Sequence, residues 1–365
     1  MKASTLWVLT AFFNPAGYAI RLRNYRRFQE RLRAQGGRLL TVELAFQGRP
    51  FQLCPTDADR LIQVRSDSVM WQKERLLNIG LDHLPDACEA VAWLDSDVLF
   101  VNDGWIPETL QRLERYPIVQ PYEAAVRLPR RAATMNLSIL PLGSNEAERD
   151  PGVGFLESRG ALRGTAMDGH GRPGHCGFAW CGRRELFQRH RFYDRAVVGS
   201  GDLYMAAAFL NRWREVEMPT DAMQRDYHHW AEAVALDVRA RITYTPGTLL
   251  HCWHGHRGYR FYAGRRRLLT WAAFDPAADL ALNGDRCWEW NSSKPALHRA
   301  VRHYFFLRNE EGSLWRFLRA VLREPVFAGR ALFGTWRARF LGWLRPRVIG
   351  EAKVRRTAGS HTNHG

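Results

Sequence analysis

The chain has no run of about 18 consecutive apolar residues, so a conventional membrane-spanning helix is not expected. It has no internal repeat and no low-complexity tract, which removes solenoids, propellers and fibrous arrays from consideration. Cysteine is sparse: Cys54, Cys88, Cys176, Cys181, Cys252 and Cys287 are scattered over 365 residues with no dense framework. That usage reads as reduced thiols in a cytosolic compartment, where no disulfide is needed. Acidic residues are also short, with 37 Asp+Glu against 53 Lys+Arg and a formal charge of +16. Such a surplus favours polyanionic partners: phosphorylated substrates, anionic lipid or nucleic acid. No RNP sequence, zinc finger or helix-turn-helix accompanies the charge, so nucleic acid ranks last of the three. The opening "MKASTLWVLTAFFNPAG" carries Thr10 in a short apolar run and lacks a small-residue cleavage pattern; it reads as a first strand rather than a signal peptide.

What is present is the ordinary material of a folded domain, 46% hydrophobic and 25% charged. The first third alternates strand-like and helix-like segments: "LWVLTAFF", a helix from Tyr18 to Gln35, "RLLTVELAF", "RLIQV", a helix from Met70 to His83, and "AVAWLDSDVLF". Alternation of this kind predicts βαβ units and a mostly parallel sheet. Ligands of such sheets gather beyond the carboxyl ends of the strands. The stretch 127–172 is rich in Arg, Gly, Pro and Asn without clear periodicity, and is expected to be a long loop region over a binding site.

Asp95 and Asp97 stand one residue apart at the end of an apolar run. Two carboxylates at a strand end offer hard oxygen ligands to Mg²⁺ or Mn²⁺. The plainer alternative is a solvated turn capped by Asp. Upstream, "WQKER" supplies Lys73 and Arg75 as candidate phosphate-binding cations; the competing reading is the basic first turn of a helix with Trp71 in the core. Far downstream, "HCWHGH" places His251, His254 and His256 close together, followed by Arg257, Arg260, Tyr262 and Arg265. Imidazole coordinates such metals, and guanidinium groups match diphosphate geometry. A zinc site from these histidines with Cys252, Cys176 and Cys181 lacks convincing knuckle spacing. Between the two regions, "GSGDLYMAAA" sets Asp202 behind glycines, either as an N-cap or as a base, with the glycines allowing close approach of a sugar.

The stretch "WQKERLLNIGLDHLPDACEAVAWLDSDVLFVNDGW", with "HCWHGH" and "GSGDLYMAAA", resembles nucleotide-sugar-dependent glycosyltransferases of the GT-A fold, in a bacterial form. The resemblance implies a GT-A-like, Rossmann-type α/β domain. It further implies that Asp95 and Asp97 hold a divalent cation, Mn²⁺ or Mg²⁺, on the diphosphate of a nucleoside-diphosphate sugar. A histidine from the far end of the domain would be the third ligand; His251 and His254 lead, with His256 third. Asp202 would be the base toward a hydroxyl acceptor in a metal-dependent, inverting hexosyltransferase. Where that family usually carries an acidic pair, Asp202 stands alone behind Gly201, which leaves the base assignment and the stereochemistry open. Lys73, Arg75, Arg260 and Arg265 would balance diphosphate charge, and Phe12 or Phe13 of "AFFNP" would face the nucleobase or fill the core. "HHW" at His228 and "WEWNSSKP" at Trp288 are lesser acceptor-side candidates; a surface His pair is the more economical reading of the first, and a Trp-anchored turn explains the second equally well.

From Ser313 the chain changes. "SLWRFLRAVLREPVFAGRALFGTWRARFLGWLRPR" holds eight arginines and one Glu among Leu, Phe, Val and Trp at helical spacing. That pattern suits basic amphipathic helices, either in the plane of an anionic membrane surface or packed on the domain with solvated arginines. The expected organisation is a catalytic domain over 1–310, a basic helical extension over 311–350 and a disordered tail over 351–365. The expected partners are a nucleotide-sugar donor and a carbohydrate or glycolipid acceptor, in a cytoplasmic protein peripheral to the membrane. Two rivals come from other classes. A nucleotidyltransferase on sugar phosphates needs a Gly- and Lys-rich triphosphate loop that "AFFNPAG" does not provide. A non-enzymatic membrane- or nucleic-acid-binding protein leaves the carboxylates idle.

Overall fold

The computed structural model describes residues 5–134, 149–163 and 174–323. Along the first third run β1 (Leu6–Phe13), α1 (Ala19–Ala34), β2 (Arg38–Phe46), β3 (Arg60–Ser66), α2 (Lys73–Leu81), β4 (Ala90–Leu94), β5 (Val98–Phe100) and α3 (Trp105–Leu113). Next come β6 (Ile118–Gln120), β7 (Ala124–Arg127), β8 (Arg149–Pro151), α4 (Val153–Ser158), β9 (Ala179–Arg183), α5 (Arg184–His190), α6 (Gly201–Phe209) and α7 (Asp221–Val238). The remainder is β10 (Ile242–Tyr244), β11 (Thr248–His251), α8 (Tyr262–Trp271), α9 (Pro276–Asp279), β12 (Leu280–Leu282), β13 (Trp288–Trp290), α10 (Pro295–Leu307) and α11 (Leu314–Arg323).

The central sheet has seven strands in the order β10-β6-β9-β4-β1-β2-β3. Every pairing that does not involve β9 is parallel; β9 runs antiparallel to both β4 and β6. This is the expected mixed α/β architecture, a mostly parallel sheet flanked by helices. A second sheet, β5-β11-β7-β8, stands beside the first. The alternation within β1 shows why its segment is apolar throughout: Trp7, Leu9, Ala11 and Phe13 enter one core, while Leu6, Val8 and Phe12 enter the other. The first core includes Leu76, Leu77 and Ile79 of α2; the second includes Tyr25, Phe28 and Leu32 of α1 with Trp105 and Leu110 of α3.

Two expectations are corrected. "AVAWLDSDVLF" is two strands in two sheets, because Asp95-Ser96-Asp97 interrupts the ladder between β4 and β5. The stretch 127–172 contains β8 and α4 within its described part. Its remainder, 135–148 and 164–173, and the expected extension and tail beyond Arg323 lie outside the described residues. No helix among the described residues is long and apolar enough to cross a membrane. All six cysteines are free, and only Cys54 is exposed.

An aromatic cluster is built on β4 and β9. Trp93 is 1% exposed, stacks on Trp180 at 6.5 Å, and meets Phe187, Phe192 and Phe209 edge-on at 4.8, 5.1 and 6.0 Å. Trp93→Ala is expected to destabilise the domain by about 3–5 kcal/mol, read from urea unfolding followed by circular dichroism; a loss below about 1 kcal/mol would show that the cluster collapses around the gap.

Candidate active site

The site is built where the two sheets part. Asp95 follows β4, and its N–H donates to the Phe178 carbonyl at 2.8 Å, which ties the start of the interruption to the segment entering β9. Asp97 precedes β5. In the antiparallel β5–β11 register Val98 lies opposite His251, and the Cys252 N–H donates to the Asp97 carbonyl at 2.8 Å. Strand pairing therefore carries "HCWHGH" to the carboxylate from about 150 residues away in the chain.

The two carboxylates part company. Asp97, 9% exposed, faces two imidazoles, with His254 Nε2 at 3.5 Å and His251 Nε2 at 3.8 Å. The two Nε2 atoms are 2.9 Å apart, and ligand atoms of Asp97, His251 and His254 all lie within 4.8 Å of one another. Burial holds both imidazoles in the neutral form, His251 well below its ordinary value and His254 down to about 3, with Arg260 acting in the same direction on each. Burial raises Asp97 to about 7, and the neighbouring Asp95 adds to the effect. Lone pairs thus gather at one place, a donor set that suits a divalent ion, with Arg260 Nη2 lying 2.8 Å and 3.0 Å from the two ring nitrogens of His254. Asp95 is not brought into this cluster. Its carboxylate meets Lys73 Nζ at 2.5 Å, and the same ammonium meets Asp202 Oδ1 at 2.8 Å. Burial alone would lower Lys73, but Asp202 and Asp95 outweigh it and hold the ammonium well above its ordinary value.

The remaining sequence candidates divide sharply. Arg75 lies about 200° around α2 from Lys73; it pairs with Asp194 at 3.1 Å and sits over Trp288, away from the carboxylates. Phe12 is core, 1% exposed and edge-on to Tyr25 at 5.2 Å. Phe13 instead lines a cleft with about 220 Å³ of empty space, part of it open to solvent, together with Asn14, Pro15, Tyr18, Trp71 and Arg308. Arg260 stands behind the histidines: it donates to the His254 carbonyl at 2.8 Å and to Glu310 at 3.2 Å. Arg265 is committed to Ser200 Oγ and the Tyr304 hydroxyl, each at 2.9 Å, and so braces the turn that opens α6. His256 caps a short turn through Gly258 and is absent from the Asp97 cluster. His228 lies against Gln224 and Trp213. Trp288 is a buried anchor, its indole N–H donating to the Asp194 carbonyl at 3.0 Å.

The glycines before Asp202 do not leave room for a sugar. A side chain at Gly201 would meet Glu74 Oε1 at 2.2 Å, and one at Gly199, whose φ is +84°, would meet the Arg265 guanidinium at 3.1 Å. Glu74 is 2% exposed, and burial pushes its carboxyl up to about 8. Gly177 is a third tight position, where a Cβ would be 3.1 Å from both Asp202 Oδ2 and the His175 ring, so the backbone there runs close against the Asp202 carboxylate. His175 stacks on Phe178 at 3.7 Å, and Phe178 in turn packs on His251 at 4.5 Å.

Sequence reasoning also missed Arg21, Arg308 and Glu310. Glu310 is 1% exposed and receives Arg21 at 3.1 Å, Arg260 at 3.2 Å and Arg308 at 2.7 Å. Burial opposes its ionisation, but Arg21 and Arg308 hold it well below the usual carboxylate range. The neighbouring Glu311 accepts the Ala19 N–H at 2.6 Å and closes the start of α1. The available signal was the acidic pair Glu310-Glu311 in an otherwise basic region.

No protein-family model matches the chain, and no curated protein matches it. Among solved structures it is similar to glucosyl-3-phosphoglycerate synthase from Mycobacterium tuberculosis in complex with Mg²⁺ and UDP, at 13% identity and a TM-score of 0.35, over 78% of this chain and 86% of that one. It is also similar to S. aureus TarS 1–349 in complex with UDP-GlcNAc, at 12% identity and a TM-score of 0.34, over 90% of this chain and 81% of that one. The catalytic domain of Drosophila β1,4-galactosyltransferase 7 with xylobiose matches 66% of this chain and 63% of its own, at 12% identity and a TM-score of 0.30.

Glu310→Gln leaves two buried guanidinium groups, Arg260 and Arg308, and the partly buried Arg21 around a neutral amide. It is expected to cost about 3–5 kcal/mol, the usual penalty for stranding buried charge, and to appear as a lower Tm in a thermal melt; an unchanged Tm would show the arginines rehydrating freely.

Proposed function

We propose that this chain transfers a sugar from a nucleoside-diphosphate sugar to a hydroxyl acceptor on a glycan, glycolipid or polysaccharide, with inversion at the anomeric carbon. The observation that carries the reading is the convergence of Asp97, His251 and His254 beyond the carboxyl end of a parallel-sheet strand, beside an Asp202 anchored by Lys73. A divalent ion held by those three groups would offset the charge developing on the leaving diphosphate. Two nitrogens in the donor set favour Mn²⁺ over Mg²⁺, which prefers all-oxygen surroundings.

The protein's own groups take the other roles. Asp202, at the first turn of α6, receives the proton of the attacking hydroxyl. Lys73 fixes the direction of that carboxylate and keeps Asp95 and Asp202 from repelling one another. Gly177 lets the backbone pass close to the Asp202 carboxylate, where a larger residue would press on it. Arg21, Arg260 and Arg308 exceed the single charge of Glu310, so this cluster carries a positive surplus beside Asp97. These guanidinium groups act on a diphosphate through their field rather than by contact. The Phe13, Tyr18 and Trp71 rings beside this cluster offer an aromatic surface on which a nucleobase could stack.

Thermal shift with UDP-, GDP- and dTDP-sugars is expected to show stabilisation that requires Mn²⁺ and disappears with EDTA. Asp97→Asn or His254→Ala should weaken that response by at least about 100-fold in metal affinity. In a transfer assay, Asp202→Asn should keep metal-dependent donor binding while lowering turnover by about 10²–10⁴-fold. Donor binding indifferent to both EDTA and Asp97→Asn would sink the reading.

A further inference from the structure

α11 divides into three sectors. At about 100° per residue, Phe317, Ala320 and Val321 fall on one side; Ala320 is buried, and Phe317 and Val321 pack against the core. Leu314, Leu318, Leu322 and Trp315 fall within roughly 100° of arc on the next side. They are 65%, 41%, 78% and 82% exposed. Arg316, Arg319 and Arg323 occupy the third, and the helix "LWRFLRAVLR" contains no acidic residue. A helix that only packs on its domain needs one apolar sector. This one has two, and the second is turned to solvent beside a row of arginines.

We propose that the exposed sector of α11 docks the protein on an anionic lipid bilayer, with Leu314, Trp315, Leu318 and Leu322 entering the headgroup boundary and Arg319 and Arg323 meeting lipid phosphate, while Arg316 stays paired with Glu311. Charge complementarity selects that occupant. The chain carries +16 overall, and an apolar stripe with an indole and a flanking arginine row matches an interfacial helix. A protein partner for so basic a face would need an acidic surface and offers no use for the arrangement of leucines about Trp315. The helix also sits at the rim of the cleft described above: the Arg316 guanidinium lies 5.6 Å over the Tyr18 ring, and Tyr18 lines the cleft. Docking therefore brings that opening close to the membrane plane. The inference stands on the helix alone and survives or fails independently of the proposed sugar transfer.

The test is co-sedimentation of the full-length chain with vesicles of phosphatidylglycerol and phosphatidylcholine against vesicles of phosphatidylcholine only, at low and high salt. Binding is expected with the anionic vesicles only and should weaken with salt. Leu318→Asp with Leu322→Asp should reduce partitioning by 10-fold or more. Arg319→Ser with Arg323→Ser should reduce it by roughly 25-fold at low salt, about five-fold per arginine. Circular dichroism checks that each variant is folded. A second measurement needs no charge reversal: in a Cys54→Ser background, Leu322→Cys should react rapidly with a polar maleimide and be protected by anionic vesicles. Equal binding to both vesicle types overturns the proposal, as does wild-type partitioning by the aspartate variant. Slow labelling without vesicles overturns it too, since the face would then be covered by the rest of this chain or by a second copy.

Discussion

The site depends on how two carboxylates one residue apart, Asp97 buried and Asp95 half-buried, are kept from destabilising the fold. A carboxylate removed from water must find a cation, accept hydrogen bonds or take up a proton. Asp95 finds the Lys73 ammonium. Asp97 finds two neutral imidazoles, which supply no positive charge, and burial accordingly raises it to about 7. That asymmetry is the chemical content of the Asp-Ser-Asp sequence: one carboxylate is neutralised by an ammonium within the protein, and the other lies among neutral imidazole donors.

The surroundings follow from the same constraint. Lys73 reaches Asp95 and Asp202 only because α2 is buried along its whole length, between the sheet and the turn before α6. That packing brings Glu74 under Gly201, where any side chain would collide with it. On the opposite flank Glu310 gathers Arg21, Arg260 and Arg308, which joins the start of α1, the segment after β11 and the end of α10 at one buried point. The arginines that sequence reasoning assigned to phosphate are in large part used to hold the protein together. Their net positive charge remains available as a field.

The basic surplus therefore has two destinations. Part is buried beneath the site, paired with Glu310 and Tyr304; burial opposes ionisation of the Tyr304 phenol, yet Arg265 and Arg308 draw it down to about 8. Part is displayed along α11, where Arg316 pairs with Glu311 and Arg319 and Arg323 border exposed leucines and a tryptophan. Composition alone cannot separate the two, because a buried arginine and a solvated one contribute equally to net charge.

Local sequence by itself determined much of the first third. β1, α1, β2 and β3 follow from apolar runs, the Gly36-Gly37 stop and helical periodicity, since each is decided by neighbours within a few residues. It also singled out Asp95, Asp97, Lys73, Asp202, His251 and His254, because polar groups at strand ends and clustered imidazoles are visible in one dimension. Tertiary structure alone decided their partnerships. The break of one apolar run into β4 and β5 came from the competing demands of two sheets, and the β5–β11 register then chose His251 and His254 over His256. Arg75 and Lys73 were indistinguishable as sequence; their opposite positions around α2 sent one to Asp194 and the other to the carboxylates. Electrostatic pairing acts over a few ångströms in space without regard to separation along the chain, so the residues could be nominated from the sequence while their charges could be matched only in the fold.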